Sequence, residues 1–349
     1  MKKIIALLLV LLLLTGCSSG KQETAPTTTH SQVTSVTTTA PTDPTTEPTT
    51  EPTDPTTEPI LPTVPIQPTQ PTEPEIPTPP QSTETTSGLT VAVLDVQHAD
   101  AIVLACDGEY ALVDGAFPES GEKIVSYLHQ LGAQKLDLMV GTHPHGDHIG
   151  GLPYVLDHMP TDTVWTSQLP YTNDYVSNFT SAISRNGAEF VQPRPGATFQ
   201  LGGATIEMIG PLNLQYEDAN NLSLVLRVTY GNTRFLLTGD MEELAEKELV
   251  EAGVDLKADV LKVGHHGSAS STSYQFLRAV APTYGVISLA AFNEYGHPHR
   301  DPLSRLMDAD VTIYRTDKMY DVVAFSDGET ITFSTGNVYA EPWRPGDPR

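Results

Sequence analysis

The chain is poor in cysteine and in positive charge, and each shortage excludes a class of protein. Among its 349 residues are only two cysteines, Cys17 and Cys106, so the chain can build neither a disulfide framework nor a cysteine-based zinc cluster. Acidic residues outnumber basic residues by 43 to 19, which gives a net charge of −24. Such a balance keeps a protein soluble and argues mildly against tight nucleic-acid binding, which normally needs clustered lysine and arginine.

A long apolar segment is also missing from the start of the chain. The apolar run at residues 4–14 is too short to span a bilayer comfortably and is typical of a secretory signal peptide. It ends in Leu-Thr-Gly-Cys, which looks like a bacterial lipoprotein cleavage box. We therefore predict a signal peptide over residues 1–17 and lipidation of Cys17, which would anchor the protein to the outer face of a membrane. The alternative is an ordinary signal peptide with a chance cysteine.

Residues 18–87 have few large apolar side chains, and no lysine or arginine occurs between Lys21 and Lys123. Threonine, proline, glutamate and aspartate dominate, in recurring units such as Asp-Pro-Thr-Thr-Glu-Pro. A segment of this composition cannot bury enough apolar surface to fold, and its prolines favour extended conformations. We predict a disordered, semi-rigid stalk that holds a folded domain away from the membrane, in the cell wall; whether it carries glycans stays open.

Apolar runs and alternating patterns resume near Leu89 and predict a folded domain over residues 88–335, followed by a C-terminal tail at 336–349. Strands outnumber helices; they come first in runs and then alternate with helices. This order predicts an α/β (α+β) fold of two sheets with helices on the outer faces, an αββα sandwich. Cys106 ends a predicted strand and is expected to be a packed, inert thiol.

A histidine-rich loop directly follows the apolar run at residues 136–140. His143, His145, Asp147 and His148 stand in the spacing His-x-His-x-Asp-His, just before two glycines. Alternation on an extended segment sends the first two histidines and the aspartate to one side, and His148 can then face a second point. The layout predicts a site for two metal ions rather than one. A polar loop with incidental histidines is the alternative.

This loop resembles the metal loop of the metallo-β-lactamase superfamily of two-metal hydrolases. Further segments, in matching order and spacing, look like one branch of it, the hydrolase domain of ComEC-like DNA-uptake proteins. These segments are residues 94–96, 100–101, 143–151, 220–226, 237–240, 261–268 and 296–299. The resemblance implies the αββα fold over roughly residues 88–335.

The sequence departs from that branch in two places, and from the wider superfamily in a third. Gln97-His98-Ala99 stands where ComEC-like chains usually have Gly-Gln-Gly, and the membrane channel that accompanies the domain in such proteins is not found. The usual superfamily histidine between the metal loop and the bridging aspartate is replaced by residues 220–223, Asn-Asn-Leu-Ser, as in this branch. The last difference implies a first metal that is less fully ligated and weakly held.

We assign His143 and His145 to the first metal, and Asp147 and His148 to the second. The resemblance places Asp240, which follows a predicted strand, as the bridging aspartate. A helix N-cap is the alternative role for this aspartate, because aspartate is a good cap.

His265 is our predicted remaining ligand of the second metal, although the adjacent His266 can take that role, orient a ligand or contact substrate. We further predict Asp147, Lys262, His266 and His297 as catalytic residues that stabilise the transition state or protonate a leaving group. His299 is a weaker candidate.

Nitrogen and oxygen ligands suit two divalent ions, zinc or manganese, and such ions activate water for attack on phosphorus or carbonyl centres. The resemblance points to phosphodiesters, so the leading hypothesis is an extracellular, lipid-anchored phosphodiesterase acting on DNA or another phosphodiester. A second hypothesis is cleavage of cell-wall phosphodiesters such as teichoic-acid or choline-phosphate groups. A third is a binding module with a degenerate metal site, which the intact metal loop and Asp240 argue against. The sequence implies no protein partner and leaves the oligomeric state open.

Overall fold

A computed structural model describes residues 87–167 and 172–348. The predicted signal peptide, the lipidation site at Cys17 and almost all of the predicted stalk lie outside these residues. Within them, no helix is both long enough and apolar enough to cross a membrane.

The described residues form fifteen strands and eight α-helices. The strands are β1 Leu89–Val93, β2 Ile102–Cys106, β3 Glu109–Val113, β4 Leu136–Gly141, β5 Thr161–Thr166, β6 Glu189–Val191, β7 Thr198–Leu201, β8 Ala204–Gly210, β9 Val225–Tyr230, β10 Thr233–Leu237, β11 Val260–Lys262, β12 Tyr284–Ile287, β13 Thr312–Arg315, β14 Val322–Ser326 and β15 Ile331–Thr335. The helices are α1 Gly121–Gln130, α2 Gly146–Ile149, α3 Leu152–His158, α4 Asp174–Asn186, α5 Glu243–Glu251, α6 Tyr274–Val280, α7 Arg300–Asp308 and α8 Thr316–Met319.

The strands form two sheets. The first has the order β15-β14-β1-β2-β3-β4-β5-β6 and the second the order β13-β12-β11-β10-β9-β8-β7. Strands β3 to β6 of the first sheet run parallel, and so do β10 to β13 of the second, whereas the remaining neighbours pair antiparallel. Each sheet is therefore half antiparallel and half parallel, which matches the predicted change from runs of strands to strands alternating with helices.

Alternation along the strands makes both faces of each sheet apolar. One set of side chains, including Leu104, Leu138 and Phe235, fills the layer between the sheets. The opposite set packs against α1, α3 and α4 on the first sheet, and against α5, α6 and α7 on the second. These layers form an αββα sandwich, and the predicted fold class is confirmed.

The parallel halves of the two sheets place polar residues at one edge of the sandwich. Asp114 follows β3, the histidine loop follows β4, Asp240 follows β10 and His266 follows β11. Because the carboxyl ends of parallel strands meet at the same edge, these side chains converge although they are far apart in sequence.

Candidate metal centre

The histidine loop leaves β4 as extended backbone and turns at once into α2. His143 and His148 are completely buried, whereas His145 and Asp147 are partly exposed. The Nε2 atom of His143 lies 3.1 Å from the Nδ1 atom of His145, so that two imidazole nitrogens from one short segment meet at a point. We call this point, with the nearest oxygen of Asp240, the first position.

Asp240 reaches the histidines through a tight turn after β10. Gly239 has a φ of +51°, and a Cβ there would lie 2.9 Å from the hydroxyl oxygen of Ser223, so no larger residue fits without displacement. The Asp240 amide donates to the same hydroxyl at 3.0 Å. The cap residue of α5 is Glu242, so the alternative role of Asp240 as that helix's N-cap is wrong.

The Asp240 carboxylate lies between two groups of histidines. Its Oδ2 is 3.9 Å from His143 Nε2 and 3.2 Å from His148 Nε2, and its Oδ1 is 3.6 Å from His266 Nε2. The ligand atoms of Asp147, His148, Asp240 and His266 all lie within 4.8 Å of one another. We call this group the second position; the Asp240 carboxylate is the part that both positions share.

His266 lies within this group of four, whereas the predicted ligand His265 lies outside it. Both residues have left-handed backbone angles, with φ values of 49° and 52°, so the alternation of a strand does not extend through them. The turn buries His266, whose Nε2 is 3.5 Å from Asp147 Oδ2. His265 Nδ1 instead faces Glu242 Oε1 at 3.4 Å, and its Nε2 stays 3.8 Å from Asp240 Oδ2.

The second position fits a divalent metal ion. His148 Nε2, Asp240 Oδ1 and His266 Nε2 are buried and make no well-aligned hydrogen bond among the described residues, although His148 Nε2 lies 3.2 Å from Asp240 Oδ2. Leaving such atoms unpaired costs about 1–3 kcal/mol each, and a cation between them would satisfy all three. The other ring nitrogens are already engaged: His148 Nδ1 with Asp114 Oδ2 at 2.8 Å, and His266 Nδ1 with the Ser288 carbonyl at 2.9 Å. This pairing leaves the Nε2 lone pairs free to act as ligands.

The first position has fewer donors. His143 Nδ1 faces the hydroxyls of Thr142 at 3.1 Å and Ser223 at 3.3 Å. Among the described residues, histidine, cysteine and carboxylate side chains build no compact group of three there. Asn220 belongs to the segment 220–223, and its buried Oδ1 has no hydrogen-bond partner, so among the described residues this segment offers a neutral oxygen rather than an imidazole.

The charges of the buried site favour a cation. Burial opposes charging of His148, but Asp240, Asp114 and Asp147 outweigh it and hold the pKa of His148 well above its usual range. Burial alone would raise the pKa of Asp240, yet His148 and His266 lower it well below its usual range. Asp240 and Asp147, whose pKa values are lowered, therefore stay ionised and favour a positive charge on His148. A divalent ion would supply that positive charge instead of a proton.

Two buried carboxylates behind the ligands were not predicted as site residues. Asp114 accepts from the amide and hydroxyl of Thr142 and contacts His148 Nδ1, each at 2.8 Å. Asp100 accepts from the Ser288 hydroxyl and pairs with Lys262 Nζ at 2.9 Å. The sequence signal for Asp114 is its place at the end of a strand beside the strand that carries the histidine loop.

Lys262, which was predicted to stabilise the transition state or protonate a leaving group, does not line the cavity above the histidines. Only 1% of its surface is exposed, and its Nζ lies between Asp100 Oδ2 and the carbonyl of Val263. Strand β11 directs this side chain into the layer between the sheets, where it balances a buried carboxylate.

An open cavity of about 690 Å³ lies above the metal ligands. The predicted catalytic residue His297 lines it, and so does His98, which was not predicted as a site residue. His98 Nε2 lies 3.3 Å from His297 Nδ1, and the His98 ring is 4.6 Å from that of His266. Burial, then the neighbouring histidines, lowers the pKa of His297 to about 3, and the same two causes lower the pKa of His98 to about 4. The weaker candidate His299 instead accepts from the Ala269 amide at 2.9 Å.

Comparison with known proteins agrees with the geometry. A family model described as the metallo-beta-lactamase superfamily matches residues 94–291. ComE operon protein 3 of Bacillus subtilis (strain 168) is 31% identical over 199 residues, which are 57% of this chain and 26% of that protein. Competence protein ComA of Neisseria gonorrhoeae is 31% identical over 229 residues, 65% of this chain and 31% of that protein. The chain thus spans between a quarter and a third of the length of these relatives.

Among solved structures, the metallo-beta-lactamase fold protein YhfI from Bacillus subtilis is similar with a TM-score of 0.47 and 12% identity. The match covers 68% of this chain and 100% of that one.

Proposed function

The chain belongs to the metallo-beta-lactamase superfamily, and from that premise we propose that it is a metal-dependent hydrolase that cleaves phosphodiesters outside the cell. The observation that carries the proposal is the second position, where three buried and unpaired ligand atoms meet beneath an open cavity. The similarity to competence proteins favours phosphodiesters over β-lactams as substrates.

In this proposal, one set of residues binds the metal ions and another set contacts the substrate. His143, His145 and the shared Asp240 would hold the first ion; the second position would hold the other, with His266 in place of the predicted His265. Divalent ions in such a site supply Lewis acidity and activate water. Zinc and manganese both suit this mixture of imidazole and carboxylate donors.

His98 and His297 are polar side chains that would donate to a phosphoryl or leaving-group oxygen of the substrate. They lie in the cavity next to His266, and both are neutral at neutral pH because their pKa values are low. One ring N–H of this pair is used between the two rings, and the remaining N–H is available for a phosphoryl or leaving-group oxygen. Asp147 contributes as a ligand, since its carboxylate faces His266 and His148.

The test is hydrolysis of bis(p-nitrophenyl) phosphate by the purified chain, with metal content measured by elemental analysis. The comparison variant is Asp147→Ala with His148→Ala, and the control is His158→Ala, an exposed histidine that stacks on Tyr154 away from the cavity. We expect turnover in the wild type and the control, and loss of turnover and of bound metal in the double variant. Metal binding without turnover would exclude a phosphodiesterase, and absence of both after zinc and manganese supply would exclude a metal-dependent hydrolase.

The proposed location rests on the lipoprotein-like signal at residues 14–17. We propose that lipid on Cys17 holds the protein at the outer face of the membrane, with the stalk extending into the wall. Replacing Cys17 by Ala should shift the protein from the membrane fraction to the medium. Retention in the membrane fraction would contradict the anchor.

A further inference from the structure

The rim of the cavity carries negative but no positive charge. Among the described residues that line it there is no lysine or arginine, whereas Glu119 and Glu294 stand at the mouth, both exposed. Beyond His145 the opening continues into a shallow groove lined by Glu217 and Asp218. A protein that binds a long polyanion normally lines its path with cationic side chains that displace counterions. The described residues of this rim instead include carboxylates and no lysine or arginine.

Aromatic rings stand between these carboxylates. Phe292 is fully exposed, and Tyr295 is 59% exposed while its ring stacks on His98 at 5.1 Å and 20°. Burial, and then the charges of Glu294 and Asp147, raise the pKa of Tyr295, so the negative field of the rim and floor reaches this ring. Both rings line the same cavity, and exposed apolar surface that is gathered at a cleft marks a contact surface.

The same cavity opens onto the metal ligands. Asp240 Oδ1 and His266 Nε2, from side chains that are 99% buried, lie at its floor without hydrogen-bond partners. The rim, with Tyr295 and Glu294, and the floor are therefore parts of one cavity.

We propose that this rim selects phosphodiesters in which one alcohol carries an ammonium group, with the cation held by the face of Tyr295 or Phe292 and by the carboxylates of Glu294 and Glu119. Aromatic faces beside carboxylates are the usual means of recognising quaternary ammonium groups. The inference rests on the proposed phosphodiesterase function and narrows its substrate class. It favours an ammonium-bearing lipid or wall phosphodiester over DNA.

The test compares two substrates that differ only in the charge of the head group: p-nitrophenyl phosphorylcholine, and p-nitrophenyl 3,3-dimethylbutyl phosphate, in which carbon replaces the ammonium nitrogen. In either case the oxygen of water bonds to phosphorus and one phosphorus–oxygen ester bond breaks. One proton of the water goes to the departing alcohol and the other to solvent. The reaction uses the full-length, metal-loaded protein, and phosphorus NMR of the products distinguishes cleavage of either ester bond.

We expect kcat/KM to be roughly tenfold higher for the cationic substrate at low salt, and the ratio to fall as salt rises. In the double variant Glu119→Gln, Glu294→Gln the ratio should approach one. Glu251→Gln, which removes an exposed carboxylate on α5 outside the cavity, is the matched control and should keep the wild-type ratio.

A binding measurement, which does not depend on turnover, is made beside the kinetic one. Calorimetry with phosphocholine and with 3,3-dimethylbutyl phosphate should show the same preference for the cation. A ratio near one in both measurements would overturn the inference and, if bis(p-nitrophenyl) phosphate is still cleaved, would leave the proposed function intact. Preference in binding with no hydrolysis of any ester would instead support the rim and reject the phosphodiesterase.

Two sources of such a phosphodiester are separated by further substrates. Release of phosphocholine from phosphatidylcholine vesicles would indicate a lipid, and cleavage of glycerophosphocholine alone would indicate a soluble or wall-derived ester. Faster cleavage of single-stranded DNA than of both would overturn the inference in favour of nucleic acid.

Discussion

The two positions for metal are built from the same loop but with unequal support. The second position gathers four protein side chains, and each of its imidazoles is held from behind by a buried oxygen of Asp114 or Ser288. The first position has two imidazoles and Oδ2 of the shared Asp240, which lies 3.9 Å from His143 Nε2. Because affinity grows with the number and orientation of ligands, we infer that the second position binds metal first and that the first exchanges it more readily.

The largest change should come from the part that both positions share. Asp240→Asn removes the single negative charge that both positions share, so we expect loss of metal from both. The expected fall in kcat is more than about a hundredfold, since even the partners behind ligands cost about 10–100-fold. Elemental analysis and turnover of bis(p-nitrophenyl) phosphate measure this. Asp162→Asn, at an exposed aspartate on β5, is the control. Retention of metal at the second position would show that Asp240 is not shared.

Variants of the two adjacent histidines, His265 and His266, test which of them belongs to the second position. His266→Ala should abolish tight metal binding and lower turnover by about a hundredfold, because it removes a buried ligand. His265→Ala should keep the tightly bound ion, because that ring faces Glu242. Equilibrium dialysis of zinc against both variants tests the pair. Equal losses, or a larger loss in His265→Ala, would contradict the assignment.

Removing the support behind a ligand should have a smaller effect, confined to one position. Asp114→Asn keeps the size of the side chain but weakens its bond to His148 Nδ1, so metal affinity at the second position should fall by about 10–100-fold. Affinity at the first position should change little. Stepwise titration with zinc distinguishes the two, and a uniform fall in both steps would indicate a general loss of structure.

The smallest effect concerns Glu246, which accepts from the amides of Thr272 and Ser273 and so pins the segment that follows the two histidines. Burial raises its pKa from the ordinary value of 4.5 to about 6. A raised pKa favours the protonated folded state, so this stability is fully present below pH 4.5 and is lost as pH rises through about 6. The loss amounts to about 2 kcal/mol.

Glu246→Gln should remove that dependence. The free energy of unfolding of the wild type minus that of the variant, from urea denaturation of metal-free protein, should therefore decrease by about 2 kcal/mol between pH 4.5 and pH 7. A difference that stays constant over this range would show that the pKa of Glu246 is not raised in the folded protein.

The metal-binding floor of the site could be predicted from sequence because residue types that bind metal stand there in a recognisable spacing. His-x-His-x-Asp-His after an apolar strand predicts a cluster, and the order of strands and helices predicts the sandwich that exposes it at one edge. Asp114 was missed because a lone aspartate after a strand has no local pattern; only the pairing of β3 with β4 brings it to His148.

Local conformation explains the other differences. Two consecutive left-handed residues decide that His266 and not His265 faces the metal ligands, and no periodicity signals such a turn. Lys262 lies among apolar residues of β11, and its partner Asp100 is far away in sequence, so its burial could not be distinguished from a catalytic lysine. The aromatic and acidic rim is formed by loops whose convergence depends on the whole fold.

The most direct test of unequal positions is a stepwise zinc titration of the metal-free protein by calorimetry, repeated with His145→Ala and with the Asp147→Ala, His148→Ala double variant. We predict two binding steps in the wild type, with affinities at least about tenfold apart. His145→Ala should keep the tighter step and the double variant should lose it. Two steps of equal affinity, or loss of the tighter step in His145→Ala alone, would contradict the account.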